Sequence, residues 1–544
     1  GDGLLGLLLG ADEQDGAAVG DGLLDELVGV VDVGQRLLQV NDVDAVALGH
    51  DEALHLGVPS TGLVPEVDAA LEELTHGDDG HAVVSLSFVP VIHKHGGLPV
   101  SCLAPASAPH PKDPGLRRCG PVIQASRGER RQVDARIPPI RRKTDLWCAH
   151  GTASLPDMGN PLVARMQGFG TTIFAEMSAL ALSTGAINLG QGFPDTDGPR
   201  EMLDAAIDAI SSGRNQYPPG AGVPELLTAI AEHQRRFYGL SVDPSGEILV
   251  TAGATEAIAA VILALCEPGD EVVMFEPYYD SYAATVALAG AVRRTCLLRF
   301  PDFEVDQASL RTAFSPRTRL VLLNTPHNPT GKVFTRAELD LICSLAREHD
   351  AWVVTDEVYE HLVFDGVQHI PVATLPGMAE RTITISSAGK TFSATGWKVG
   401  WLHGPPAAVA AARTVKQFLT YVASGPFQPA IAVALGLGDD VYHGAASSLQ
   451  AKRDLLCEGL SAAGFEVARP SATYFVIADA APLGVSDALE FCRRMPALCG
   501  VVGVPVSVLC DDKDAARTLV RFAFCKRDEV LEEAVTRLGV LASR

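Results

Sequence analysis

Thr382-Ile383-Thr384-Ile385-Ser386-Ser387-Ala388-Gly389-Lys390 opens as a short β-branched strand and runs out into small residues that leave one lysine unobstructed. Stretches of similar build lie upstream at Glu247 to Thr251, Glu271 to Phe275, Arg319 to Asn324 and Trp352 to Thr355. Helical stretches lie between them, such as Ala257 to Leu265 and Arg336 to Glu348. Short apolar strands alternating with helices predict an α/β fold with a mostly parallel sheet from Phe169 onward. Such sheets bind ligands just beyond the carboxyl ends of their strands, so the residues directly after each strand are the functional candidates.

After Thr251 comes Ala252-Gly253-Ala254-Thr255-Glu256, small residues at a helix start that expose backbone N–H groups to an anion. A plain strand-to-helix turn capped by Thr255 uses the same residues. Glu276-Pro277-Tyr278-Tyr279-Asp280-Ser281-Tyr282 offers an aromatic to stack on a planar ring, or to fill the core. Thr325-Pro326-His327-Asn328-Pro329-Thr330-Gly331 fixes Asn328 between prolines, as a binding loop or a structural turn. The strand from Trp352 runs into Asp356-Glu357-Val358-Tyr359, and a carboxylate at a strand end needs a cationic partner, either a protonated pyridinium or an arginine. Lys390 is nucleophilic if buried and merely solvated if not.

Composition bounds the rest. The net charge of −23 argues against nucleic-acid binding, and no apolar run is long enough to suggest a membrane span. The 11 cysteines show no CxxC pair or metal-ligand cluster, which predicts reduced thiols in a cytoplasmic protein and no metal site. Residues 1–157 differ from the remainder of the chain: their only aromatics are Phe88 and Trp147, and residues 1–100 set 18 acidic groups against Arg36 and Lys94. Such a segment buries little large apolar surface, so we expect a disordered or non-native prefix, with a true start near Met158 or Met166.

Asn-Pro-Thr-Gly at 328–331, Asp-x-x-Tyr at 356–359 and Ser-x-x-Lys at 387–390, in that order and spacing, resemble the signature of the fold-type I enzymes that use pyridoxal 5′-phosphate (PLP), specifically the class I aminotransferases, over residues 166–540 or so. The resemblance implies a seven-stranded, mostly parallel sheet between helices in a large domain at 205–430. A smaller α/β domain would come from an arm at 158–204 and the C-terminal residues 431–544.

By the same resemblance Lys390 holds PLP as a Schiff base and shuttles the Cα proton, and Asp356 keeps the pyridine nitrogen protonated. Asn328 and Tyr359 bind the ring oxygen, and Tyr279 stacks on the ring. Ala254, Thr255, Ser387 and Lys398 hold the phosphate. Many relatives carry arginine at the position of Lys398, so charge is kept here while two-pronged contact is lost. Tyr217 matches a tyrosine that reaches the neighbouring subunit's phosphate, which implies a homodimer. Arg521 matches the arginine that grips the substrate α-carboxylate, and Gly192 lies in the segment that closes over it.

The stretches Gln191-Gly192-Phe193-Pro194-Asp195 and Ser424-Gly425-Pro426-Phe427-Gln428-Pro429 look like the branch with N-succinyldiaminopimelate, methionine and kynurenine aminotransferases. The implied reaction is ping-pong transfer from an amino-acid donor to a 2-oxo-acid acceptor, 2-oxoglutarate, with the succinyldiaminopimelate enzymes of lysine biosynthesis nearest in pattern. Kynurenine, methionine or glutamine transamination, or a cysteine-conjugate β-lyase, would use nearly the same residues. A regulator with an aminotransferase-like domain needs a basic recognition helix, which the acidic residues 1–100 do not offer.

Overall fold

The computed structural model describes residues 161–543. The expectations for residues 1–157, including a start at Met158, lie outside the described residues.

The chain lays down β1 (Ile187–Asn188), then the strands of the central sheet: β2 (Ile248–Thr251), β3 (Glu271–Glu276), β4 (Val292–Leu297), β5 (Thr318–Asn324), β6 (Trp352–Asp356), β7 (Thr382–Ser387) and β8 (Gly400–His403). These seven pair in the order β2-β8-β7-β6-β5-β3-β4. All run parallel except β8, which is antiparallel to both β2 and β7. The expected mostly parallel seven-stranded sheet is what forms.

Helices cover the sheet, so its inner strands read as continuous apolar runs rather than alternating ones. β3 and β7 are buried at every position, whereas the edge strand β4 (VRRTCL) alternates exposed and half-buried residues over most of its length. The expected helix at Arg336–Glu348 is found with those bounds. Thr335 and Glu338 form a reciprocal capping box at its start, and Leu339, Ile342, Cys343 and Ala346 make the buried face. A cap of this kind contributes about 1 kcal/mol.

Beyond the central sheet come β9 (Glu466–Ala468), β10 (Phe475–Asp479), β11 (Val501–Val502), β12 (Val504–Pro505) and β13 (Leu519–Ala523). β12-β13-β10-β9 form an antiparallel sheet, and β1 pairs in parallel with β11. One core gathers Met177 and Leu189 with Leu456, Phe522, Leu531 and Leu538. The segment before residue 190 is thereby packed with the C-terminal helices. Among the described residues no helix is long and apolar enough to cross a membrane.

Candidate active site

The parallel strands end on one cavity of about 850 Å³. β7 stops at Ser387 and the chain turns at once into the short helix Ala388–Thr391, which carries Lys390 into that cavity. Gly389 allows the turn to pack, because a Cβ there would lie 3.0 Å from the Thr395 backbone. The Lys390 amine donates to the Tyr474 hydroxyl at 2.9 Å, and that hydroxyl donates to the Gly192 carbonyl at 2.6 Å. Burial lowers the amine's pKa to about 8, with Arg521 and Lys398 adding to the effect and Cys525 and Asp356 opposing it. The neutral, nucleophilic amine is therefore within reach near neutral pH.

β6 delivers Asp356 beside it. The buried Asp356 carboxylate accepts from the Tyr282 hydroxyl at 2.5 Å, and burial raises its pKa against the pull of Tyr282, Val358 and Lys390. Asn324, at the end of β5, ties two loops together: its amide donates to the Asp356 carbonyl at 2.8 Å and its side-chain oxygen accepts from the Asn328 N–H at 2.6 Å. Tyr359 is buried, its ring edge-on to Tyr474 at 5.3 Å. Tyr279 also lines the cavity.

The anion cradle has a plain cause. β2 ends at Thr251, and the helix Gly253–Leu265 starts at an Ala252 cap that gives no side-chain bond to its first turn. Thr255 is not the cap but the third helical residue. Gly253 adopts φ +77°, and Gly400 on β8 packs so close that a Cβ on it would lie 2.6 Å from the Gly253 backbone and 2.8 Å from the Ala254 nitrogen. The Lys398 amine sits 3.1 Å from where a Gly253 Cβ would be. Free helix N–H groups, the helix dipole, the Lys398 charge and the neighbouring Ser387 make a site for a phosphate dianion.

Arg521 comes from β13 and is buried. It donates to the Gly190 carbonyl at 2.8 Å and to the Asn328 side chain at 3.2 Å, while its Nε has no partner. Phe475 and Phe174 flank the guanidinium at 4.1 and 4.9 Å. Burial lowers its pKa to about 10, which leaves it charged at neutral pH. A Cβ on Gly192 would strike the Phe475 ring at 2.3 Å, so only glycine fits at that point of the wall.

The cavity thus brings together Lys390, Asp356, Asn328, Tyr359, Tyr279, Ala254, Thr255, Ser387, Lys398, Gly192 and Arg521. It does not include Tyr217, which is 80% exposed and meets Tyr421 edge-on at 5.4 Å. Three further contributors carry no motif of their own: Tyr282, Tyr474 and Asn324. For Asn324 a signal existed, since it closes a strand one residue before the loop that holds Asn328. Among the described residues, His233, Glu360 and His361 have the chemistry of metal ligands. The two imidazole Nε2 atoms lie 2.7 Å apart, closer than the ~3.3 Å that two ligands on one tetrahedral zinc keep. Burial holds both rings neutral, and the spacing is that of a hydrogen bond between them.

The donor set fits PLP. A cradle that a Cβ would fill awaits a dianion at Gly253, a buried carboxylate awaits a cation at Asp356, and Arg521 keeps an unpartnered N–H. The family model of aminotransferase class I and II matches residues 184–538. A probable N-succinyldiaminopimelate aminotransferase, DapC, of Mycobacterium tuberculosis is 53% identical over 393 residues, which span 70% of this chain and 99% of that protein. The methionine aminotransferase of Escherichia coli is 41% identical over 384 residues, 70% of this chain and 99% of its own length. The solved structure of N-succinyldiaminopimelate aminotransferase from Mycobacterium tuberculosis, at 53% identity, superposes with a TM-score of 0.69 over 70% of this chain and 100% of that one.

Proposed function

The chain belongs to the class I and II aminotransferases, and from that membership we propose that it moves the amino group of N-succinyl-LL-2,6-diaminopimelate to 2-oxoglutarate by a ping-pong sequence, in lysine biosynthesis. The 53% identity to a probable enzyme of that specificity, over nearly its whole length, carries the choice of donor. The shared cavity of Lys390, Asp356 and Arg521 supports the site assignment.

When bound, PLP supplies an aldehyde for the donor's amine and a ring that takes up the charge left at Cα. In this reading Lys390 would hold the cofactor through its amine and, once free, would serve as the base and acid that carries the proton from and to Cα. Asp356 holds a proton on the pyridine nitrogen by offering the counter-charge that its own burial calls for. Asn328 and Tyr359 bind the ring oxygen, and Tyr279 covers the ring. Ala254, Thr255, Ser387 and Lys398 hold the phosphate. Arg521 binds the α-carboxylate with a fork that lysine lacks. The segment at Gly192 closes over the substrate and excludes water.

A homodimer belongs to the same reading. Tyr217 and Phe418 are each 80% exposed and Tyr421 54%, apolar surface that a second copy would cover while Tyr217 reached its site. Cys266, Cys296, Cys343, Cys457, Cys492, Cys510 and Cys525, buried thiols outside any disulfide, support a reducing, cytoplasmic setting. The division into an arm at 158–204, a cofactor domain at 205–430 and a C-terminal domain at 431–544 is part of the proposal.

The test is a panel of amino donors with the full-length holoenzyme, following the cofactor absorbance and 2-oxoglutarate consumption, with Lys390→Ala as control. N-Succinyl-LL-2,6-diaminopimelate should give the highest kcat/KM. A higher value for methionine or kynurenine would reassign the donor, and pyruvate release from a cysteine conjugate without 2-oxoglutarate would replace transfer by elimination.

A further inference from the structure

The cavity wall carries four cationic side chains: Lys390, Lys398, Arg521 and Arg493. The proposed reaction employs the first three and leaves Arg493 without a task. Arg493 belongs to the helix Ala488–Cys499, and its Nε donates to Glu176 at 2.7 Å while Nη2 donates to the other carboxylate oxygen at 3.3 Å. Glu176 belongs to the helix Ile173–Thr184. The two side chains are 51% and 41% exposed, so the pair is only weakly held and exchangeable.

Both helices begin at this wall, where Thr172, Ile173 and Leu489 line the cavity. Their first N–H groups are already taken up by the Asp487 carboxylate and the Thr172 hydroxyl, so Arg493 is the positive charge this region offers an anion. Ile173, Phe174, Leu489 and Val508 give the same region an apolar lining suited to an alkyl spacer. We propose that this outer part of the cavity is a subsite for a distal carboxylate of the amino donor, with Arg493 as its cation and Glu176 as the counter-ion the carboxylate displaces.

This rests on the aminotransferase reading of the inner site and extends it to the class of side chain accepted. A distal ammonium group would find Glu176 but also the Arg493 charge. In the proposed donor the distal amine is acylated and uncharged, which leaves carboxylates as the only charges at that end.

The test compares kcat/KM for L-2-aminopimelate and L-2-aminoheptanoate, which share one carbon chain and end in a carboxylate and a methyl group. Full-length holoenzyme is used, and folding of each variant is checked by cofactor absorbance and melting. Arg493→Gln should lower the ratio of the dicarboxylate to its neutral partner by roughly tenfold, through KM. Glu176→Gln, which removes the competitor, should raise that ratio. Where turnover is slow, the same ratio is read from the inhibition constants of pimelate and heptanoate. An unchanged ratio in Arg493→Gln, or a ratio that falls in both variants, overturns the subsite and reduces the ion pair to a wall element. The donor assignment fails separately: N-succinyl-LL-2,6-diaminopimelate would then be a poor donor while the ratio still responds to Arg493.

Discussion

Lys390 and Tyr474 are joined by a 2.9 Å hydrogen bond in which the amine donates to the phenol oxygen. That acceptor favours the ammonium form, whereas burial favours the neutral amine and brings the pKa to about 8. Only the neutral amine attacks a carbonyl. The rate at which apoenzyme captures PLP should therefore rise with pH and level off above about 8. Tyr474→Phe removes an acceptor for the ammonium and should move the midpoint to lower pH. Stopped-flow absorbance across a pH series reads both values, and a midpoint at the ordinary lysine pKa would refute the environment described for Lys390.

Gly400→Ala should damage cofactor binding from a position that need not touch the cofactor. The added methyl meets backbone at Gly253 and Ala254, which cannot rotate away as a side chain could. The helix start must shift, at about 1–3 kcal/mol. Equilibrium titration with PLP should show a Kd raised at least as much as the fold is weakened. Unchanged affinity would mean that the cradle tolerates displacement.

Arg521→Lys keeps the charge and loses the fork. The buried arginine makes two hydrogen bonds and stacks between Phe475 and Phe174, none of which an ammonium reproduces. A fall of about 100-fold in kcat/KM, mostly in KM, is expected from loss of a two-pronged carboxylate contact. Steady-state kinetics at saturating 2-oxo acid would show it.

Glu360 directly follows Tyr359 in the turn after β6 and is buried. Its carboxyl accepts from Ser386 at 2.5 Å, and burial pushes its pKa up to about 7. The folded value lies above the unfolded one, so this group's stability is fully present below the ordinary glutamate range and is lost as pH rises toward about 7. Glu360→Gln does not titrate. Relative to the parent it should gain stability between pH 5 and pH 8, on the order of 1–3 kcal/mol. Melting curves at the two pH values check the sign, and an equal difference at both would show that Glu360 ionises without penalty.

How much could be read in the sequence depends on how local each feature is. Asn328, Asp356 and Lys390 each stand just past a strand, where chain order alone places them together. The strands of the parallel sheet were legible because burial on both faces makes them continuous apolar runs. Tyr474 was not, since it meets Lys390 across 84 residues of chain with no motif around it. Nor could the tyrosines of 278–282 be sorted, because the start of the helix Asp280–Leu288 decides which way each points. Tyr278 bonds Asp511, Tyr279 lines the cavity and Tyr282 bonds Asp356. The cap at Ala252 instead of Thr255 is a similar case: Gly400, which packs against the Gly253 and Ala254 backbone at the helix start, belongs to a strand remote in sequence.

Lys390 and Lys398 leave from one connection, pinned at its base where Ser387 pairs with Gly400. Just inside that pair the Ala388 N–H donates to the Val399 carbonyl at 3.1 Å, so backbone bonds already close the loop. A ligand that both amines would hold meets two charges whose spacing the chain has set beforehand, and little of its affinity is spent on ordering residues 388–399.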